Sequence, residues 1–291
     1  MVTRAPRVGG TGPDRPSGGA RVTVLIDNRL ARAGLEREHG LSLWVQTGTA
    51  NVVIDTGGTA AFRRNAAALG VDLATADAVA LSHGHYDHSG GLPAALEAAP
   101  RARLFLHPAA LQPRFSRRRA GRPTAIGMPA ASRAAVLSCR DVVWTEDPTE
   151  IAPGVWCTGP VPRDEVREPG DPEFFFDAAA TMPDPVADDQ SFWIDTPDGL
   201  WVLLGCAHAG VLATLEHIDR LTGGRPLARL IGGTHLMRAG EARIALVAAD
   251  LKRRAPVVLA PCHCTGGLAD AALRRALPGS TRAAGSGAVI E

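Results

Sequence analysis

Apolar residues recur along this chain in short blocks, at 22–26, 43–45, 52–54, 79–81, 104–106, 142–144, 155–157, 192–194, 201–204, 230–231 and 257–259. Their length and their flanking Gly, Pro, Asp and Asn residues read as buried strands. A different spacing runs through 60–69, 93–99, 211–221 and 241–254, where apolar residues return at helical intervals. In the third of these, Val211, Leu215, Ile218 and Leu221 form one stripe that must face a core. Links at 46–51 and 196–199, each between apolar runs, predict strand hairpins. A hairpin followed by alternating strands and helices occurs twice. The pattern predicts an α/β protein with two packed mixed sheets, helices outside, and two similar halves.

The stretch 108–189 breaks this rhythm. It is rich in Arg, Pro and Gly, with Arg114, Arg117, Arg118, Arg119 and Arg122 close together and a cluster at Phe174, Phe175 and Phe176. It is expected to be an insertion lying over the active site. The arginine run reads as a solvated loop, or more sharply as a clamp for phosphate or carboxylate. Residues 1–20 are rich in Gly, Pro and Arg and lack the apolar core of roughly 7–15 residues that a signal peptide needs. They read as a disordered tail ahead of a domain over 21–291. Nowhere do about 18 apolar residues run together, so no membrane partner is expected.

Composition narrows the partners. With 291 residues and 45% hydrophobic content the chain can bury a full core. Its 31 basic and 30 acidic side chains give a net charge of +1, too little to attract nucleic acid. A small-molecule partner is expected instead. The 5 cysteines show no disulfide spacing, which fits a reducing cytoplasm.

The block at 79–81 is followed at once by S82-H83-G84-H85-Y86-D87-H88. In an extended segment residues i and i+2 point the same way, so His83 and His85 can share one metal ion while Asp87 and His88 turn toward a second. Imidazoles and a carboxylate crowded into one loop would be costly to bury without a cation among them. Mixed nitrogen and oxygen donors suit zinc best, and the same set accepts manganese or iron. A dinuclear site needs further donors, and His208, His235 and His263 each stand just after an apolar run. Cys262 and Cys264 flank His263 and should point away from whatever it faces, so they read as buried apolar residues. For Cys206 a ligand role stays open. Asp55, in I-D-T-G-G, reads as a carboxylate that orients a ligand histidine or its loop, with a plain turn residue as the alternative. His39, His107 and His217 carry weaker signals, and His217 is expected in solvent.

These motifs resemble the metallo-β-lactamase superfamily, whose H-x-H-x-D-H signature is met in full after the D-T-G turn at Asp55. Within it, E-H-G-L-S at 38–42, L-S-H-G-H-Y-D-H-S-G-G-L at 81–92, G-C-A-H-A-G at 205–210, G-G-T-H-L at 232–236 and H-C-T-G at 263–266 are similar to one branch. That branch is the 7,8-dihydropterin-6-yl-methyl-4-(β-D-ribofuranosyl)aminobenzene-5′-phosphate synthase family, and the likeness spans about 21–290. The resemblance implies an αββα sandwich with the metals at the edge between its halves. It implies His83, His85 and His208 on one metal and Asp87, His88 and His263 on the other. The chain departs from the superfamily where a histidine usually precedes the strand near Gln190, offering only Asp188 and Asp189. It departs again at Cys206, where a bridging aspartate is common, and at Thr234, where relatives carry a bulky aromatic residue.

The expected activity is that of a metallohydrolase with two zinc ions, Mn2+ or Fe2+ being alternatives. Bound water, its pKa lowered to about 7, would attack a small anionic ester, lactone or phosphoester. Asp87 or His235 would carry the proton to the leaving group, and Arg163, at the end of P-V-P-R, would hold the substrate's acidic group. The rivals are a biosynthetic C–N bond-forming or redox reaction on a pterin-like ring, and a metal-stabilised binding module without turnover.

Overall fold

The computed structural model describes residues 19–117 and 123–291. Of the expected tail, residues 1–18 lie outside the described residues, and Ala20 already opens the first strand. The first half holds β1 (Ala20–Ile26), β2 (Ser42–Thr47), β3 (Asn51–Ile54), α1 (Ala61–Ala68), β4 (Ala78–Ala80), α2 (Tyr86–Ser89), α3 (Leu92–Ala98) and β5 (Arg103–Leu106). A middle stretch follows with β6 (Phe115–Ser116), β7 (Thr124–Ala125), α4 (Ala130–Ser138), β8 (Val142–Trp144), β9 (Thr149–Ala152), β10 (Val155–Cys157) and β11 (Phe174–Phe175). The second half holds β12 (Phe192–Thr196), β13 (Gly199–Leu204), α5 (Val211–Thr222), β14 (Leu227–Gly233), α6 (Glu241–Arg254), β15 (Val258–Cys262), α7 (Gly267–Ala276) and β16 (Val289–Ile290).

The apolar blocks are continuous because both faces of each main sheet are covered. In β2, Leu43 and Val45 point into the core between the sheets while Trp44 packs outward under the first-half helices. In β13, Trp201 and Leu203 point inward while Leu200, Val202 and Leu204 meet the helices of the second half. A 7-stranded sheet runs β16-β1-β2-β3-β4-β5-β8 and a 6-stranded sheet runs β15-β14-β13-β12-β10-β9. The inter-sheet core joins Val22, Leu43 and Ile54 of the first to Val155, Phe192 and Ile231 of the second. Helices α1, α3 and α4 cover one outer face, and α5, α6 and α7 the other. The result is the predicted αββα layering, with mixed sheets.

The two hairpins form at the expected links, pairing Gln46 with Asn51 and Thr196 with Gly199. Beyond each hairpin the strands turn parallel, β3 to β4 in one half and β13 to β14 in the other. Along α5, Val211, Leu215 and Ile218 join the core, but Leu221 is 38% exposed because the helix has reached its left-handed cap at Gly223. No helix among the described residues is long and apolar enough to cross a membrane.

Residues 108–189 do not behave as a single insertion. β8, β9 and β10 are strands of the two main sheets, and only β6, β7 and β11 form a separate 3-stranded sheet. Nor is the arginine run a uniform solvated loop. Arg114 is fully buried against Asp184 and Asp188, and Arg117 stacks over the Phe175 ring, while Arg118, Arg119 and Arg122 lie outside the described residues.

Candidate metal centre

The loops that leave β3, β4, β13, β14 and β15 gather at one edge of the sandwich, the position where α/β sheets present their functional groups. After β4 the chain runs through His83 and His85 into the one-turn helix α2, which carries Asp87 and His88. His83, His85 and His208 bring a ring nitrogen each to within 4.8 Å of one another. His83 Nε2 is 2.9 Å from His85 Nδ1 and 3.2 Å from His208 Nε2. In a second group His88 Nε2 is 3.0 Å from His263 Nε2, and Asp87 Oδ2 is 3.5 Å from His263 Nε2 and 3.9 Å from His88 Nε2.

Nitrogens around a tetrahedral zinc ion, each roughly 2.0–2.1 Å from it, stand a little over 3 Å apart. The clusters have that spacing. Burial, reinforced by the neighbouring imidazoles, holds His83, His208 and His263 well below the usual histidine range. They are therefore neutral with free lone pairs, the form in which imidazole binds a metal. Burial alone would discharge His88 as well, but the adjacent Asp55 carboxylate, with Asp87 behind it, outweighs burial and lifts it to about 9. A bound cation would take the place of that proton.

Asp55 sits at the end of β3 with a left-handed φ of 55° and is wholly buried. Its Oδ2 lies 2.7 Å from His88 Nδ1 and accepts the Ser82 hydroxyl at 2.7 Å, while Oδ1 accepts the Ser82 amide at 2.7 Å. The Ser82 hydroxyl is in turn 2.9 Å from His83 Nδ1. One carboxylate thus orients a histidine of each cluster. Gly205, at the end of β13, makes room for this arrangement, since a Cβ there would lie 2.1 Å from the Ser82 hydroxyl.

Two contributors, Asn28 and Asp27, were not read from the sequence, and His39 was read only as a weaker candidate. Asn28, just beyond β1, approaches His263 Nδ1 through Oδ1 at 3.1 Å and His39 Nδ1 through Nδ2 at 3.3 Å. Asp27 accepts the His263 amide at 2.6 Å. His39, half exposed, places Nε2 3.2 Å from Asp87 Oδ2 and completes a group with Asp87 and His263. It stands in the E-H-G-L-S string, the one signal that pointed to it.

The later histidines reach the centre from separate strands. His208 follows Ala207, and His235 and His263 end β14 and β15; all of Ala207, His235 and His263 adopt left-handed φ between 51° and 54°. Such backbone is strained for a residue with a side chain and tends to collect at functional sites. The turn at His263 also overturns the expectation for Cys264. The strand ends at Cys262, so alternation stops there, and Cys264 lines the same cavity as Cys206 and accepts the His235 amide at 3.2 Å. Cys262 packs into the inter-sheet core as expected. Cys206 Sγ lies 3.2 Å from His88 Nε2 and shares a potential ligand group with His83 and His88.

Residues 35–225 match the Metallo-beta-lactamase superfamily. The chain belongs to that superfamily. It is 25% identical over 243 residues to the 7,8-dihydropterin-6-methyl-4-(beta-D-ribofuranosyl)-aminobenzene-5'-phosphate synthase of Methanocaldococcus jannaschii, covering 79% of this chain and 81% of that protein. It superposes on the crystal structure of Tm1679, described as a metal-dependent hydrolase of the beta-lactamase superfamily. The TM-score is 0.77 and the identity 27%, over 94% of this chain and 99% of that one. YhfI of Bacillus subtilis shares the fold at a TM-score of 0.59 and 13% identity, over 94% of this chain and 100% of that one.

Against that superfamily background the departures acquire structural reasons. Asp188 and Asp189 tether the histidine-bearing loops, Asp188 accepting the Gly84 amide and Asp189 the Ala209 amide, each at 2.8 Å. Burial pushes the Asp189 carboxyl up to about 6. The small Thr234 side chain donates its hydroxyl to Thr265. Arg163 is placed otherwise than expected. It does not line the cavity; its Nη1 donates to the His208 carbonyl at 3.0 Å. His217 is half-buried, 3.3 Å from the Thr158 carbonyl, and not simply solvated.

The clusters open into a cavity of about 940 Å³. Phe174 of β11 stands over its histidine end, its ring 5.2 Å from that of His85 and 5.6 Å from that of His208. His235 lies beside His208, ring centres 4.3 Å apart, with Nε2 3.7 Å from Asp171 Oδ2.

Proposed function

We propose that this chain is a metal-dependent hydrolase with a dinuclear zinc site, acting on a small anionic ester, lactone or phosphoester. The observation that carries this reading is the meeting of two donor groups, each drawing residues from both halves, at one open cavity. His83, His85 and His208 would hold one ion and Asp87, His88 and His263 the other, with Cys206 close to both groups. Metal ions held by these residues would supply Lewis acidity, lowering the pKa of bound water to about 7 and polarising the attacked carbonyl or phosphoryl oxygen. Asp55 fixes the orientation of His88 and, through Ser82, of His83. Asp87, within 3.2 Å of His39 Nε2, is positioned to accept a proton at Oδ2. His235 lines the cavity and can deliver a proton to the leaving group. Phe174 keeps bulk water off the histidines. The free thiols of Cys139, Cys157, Cys206, Cys262 and Cys264 suit a reducing cytoplasm.

The similarity to a synthase supports a second reading, a biosynthetic reaction on a ring substrate at the same centre. Elemental mass spectrometry on the purified chain, followed by a panel of lactones, phosphodiesters and thioesters, separates the two. Two equivalents of zinc with turnover on the panel support the hydrolase, and Asp87→Ala should then abolish turnover while the circular dichroism spectrum is unchanged. Iron in place of zinc, with no turnover on the panel, favours the synthase-like reading. Absence of metal after reconstitution rules out both.

A further inference from the structure

The chemistry above uses Asp87 but gives no role to the string E-H-G-L-S at 38–42, which packs on the loop that carries it. We infer that the histidine of this string, His39, is a positioning residue for the second donor group. Its Nε2–H, fixed as a donor by Asn28, holds the Asp87 carboxylate toward the ion that Asp87, His88 and His263 would share. The inference rests on the reading of that group as a metal site and deepens it.

Backbone and side-chain bonds set His39 in place from both sides. Glu38 accepts the Gly58 and Thr59 amides at 3.0 and 3.1 Å and the Thr59 hydroxyl at 2.7 Å, which fastens the string to the turn after β3. Gly40 lies so close to the ligand loop that a Cβ there would meet the Asp87 carbonyl oxygen at 2.6 Å. The Leu41 amide donates to that same carbonyl at 3.1 Å. Between these anchors His39 brings Nε2 to 3.2 Å from Asp87 Oδ2, with 54% of its side chain exposed.

The direction of that contact follows from Asn28. The Gly40 amide can only donate, so the Asn28 atom that receives it at 3.2 Å is the oxygen, Oδ1. Oδ1 also faces His263 Nδ1 at 3.1 Å, so that nitrogen carries the ring proton and His263 Nε2 keeps the lone pair that a metal needs. Asn28 Nδ2 donates to the His263 carbonyl at 3.2 Å and faces His39 Nδ1 at 3.3 Å. A ring nitrogen that accepts there leaves the ring proton on Nε2. One amide therefore sets two histidines in opposite tautomers, His263 with a lone pair toward the centre and His39 with an N–H toward it. His39, Asp87 and His263 each place a candidate ligand atom within 4.8 Å of the others, yet His39 Nε2 has no lone pair to give. It serves the carboxylate instead. A carboxylate offers about four acceptor sites, so one taken by His39 leaves others for a cation. A hydrogen bond from outside to a metal-binding group fixes the orientation of that group.

The test is zinc affinity, measured by competition with a chelator on the full-length protein and its variants. His39→Ala should weaken one of the two zinc equivalents about 10–100-fold and leave the other as in the parent. His39→Gln, whose amide N–H reaches about as far as the imidazole Nε2, should recover most of that loss. Denaturant unfolding of the metal-free protein should be the same in all three, because an exposed pair contributes little to stability. A His39→Ala protein that binds both equivalents as the parent does, or that loses both equally, overturns the role. So does His39→Gln binding as weakly as His39→Ala, since the missing group would then be the ring and not its N–H. Should His39→Ala fail to fold, His39→Asn, whose shorter amide falls away from Asp87, gives the same contrast against His39→Gln. A parent that takes up no metal overturns the reading of the centre and this role with it, whereas two equivalents indifferent to His39 overturn the role alone. No substrate enters the experiment, so failure of the ester panel would remove the hydrolytic reading and leave the role of His39 standing.

Discussion

The halves of the sandwich supply the centre in different ways. In the first half a single loop after β4 carries His83, His85, Asp87 and His88, and two buried carboxylates brace it, Asp55 at Ser82 and His88 and Asp188 at the Gly84 amide. In the second half each strand end contributes one histidine: His208 after β13, His235 after β14, His263 after β15. Those histidines are braced by unrelated parts of the chain, His208 through Asp189 and Arg163, His263 through Asp27 and Asn28. Histidines on one contiguous loop share their anchors, while dispersed histidines need separate ones. Damage to an anchor of the first half should therefore be severe and global, and damage in the second half smaller and confined to one ligand.

Asp55→Ala should have the largest effect. It leaves the Ser82 amide, the Ser82 hydroxyl and His88 Nδ1 without their acceptor in a fully buried place. Loss of one partner from a buried charged pair costs about 3–5 kcal/mol. The measurement is denaturant unfolding of the metal-free protein, so that lost metal does not enter; a change below about 1 kcal/mol, the size of one ordinary hydrogen bond, would show that the loop does not depend on this anchor.

Gly210→Ala should come next. Gly210 opens α5 at a φ of 104°, and a Cβ there would lie 2.2 Å from the Glu168 carboxylate that meets the first turn of the helix. Left-handed strain together with overpacking predicts a loss of roughly 2–4 kcal/mol. The loss should fall on the loop bearing His208 and spare the His83 loop, which amide hydrogen exchange can resolve.

Asn28→Ala should be smaller again and specific to one ligand. Removing the group that orients a metal-binding histidine lowers metal affinity about 10–100-fold. Competition with a chelator should show one of two metal equivalents weakened, the one held by His263, while global stability moves by about 1 kcal/mol. Equal weakening of both equivalents would mean that the clusters do not act through separate anchors.

The same contrast explains what could be read from the sequence. The H-x-H-x-D-H donors are adjacent in the chain, so elementary backbone geometry already implies that they meet. His208, His235 and His263 were legible only as residues that follow apolar blocks, because strand ends collect at one edge of such a sheet. Asn28 was not legible, since its bond to His263 joins residues 235 positions apart and depends on how β1 passes β15. The strands β6, β7 and β11 are too short to show a period, and 108–189 looked uniform although β8, β9 and β10 are built into the main sheets. Cys264 was misplaced because alternation was carried past the point where the strand ends.

Arg163→Ala is the smallest of these effects and separates reading by composition from reading by structure. An arginine beside prolines near the site suggests a substrate contact, and removal of such a contact would raise KM with kcat little changed. The structure gives Arg163 a backbone partner, the His208 carbonyl, and a loose contact of 3.7 Å with Glu165. Its replacement should loosen the His208 loop by about 1 kcal/mol, weakening the metal on His83, His85 and His208 by roughly fivefold. Because a substrate would feel this only through the metal, kcat should fall with metal occupancy and recover when excess zinc is added, while KM stays near its parent value. A raised KM that excess zinc does not correct would return Arg163 to the substrate and take the anchor of His208 down to Asp189 alone.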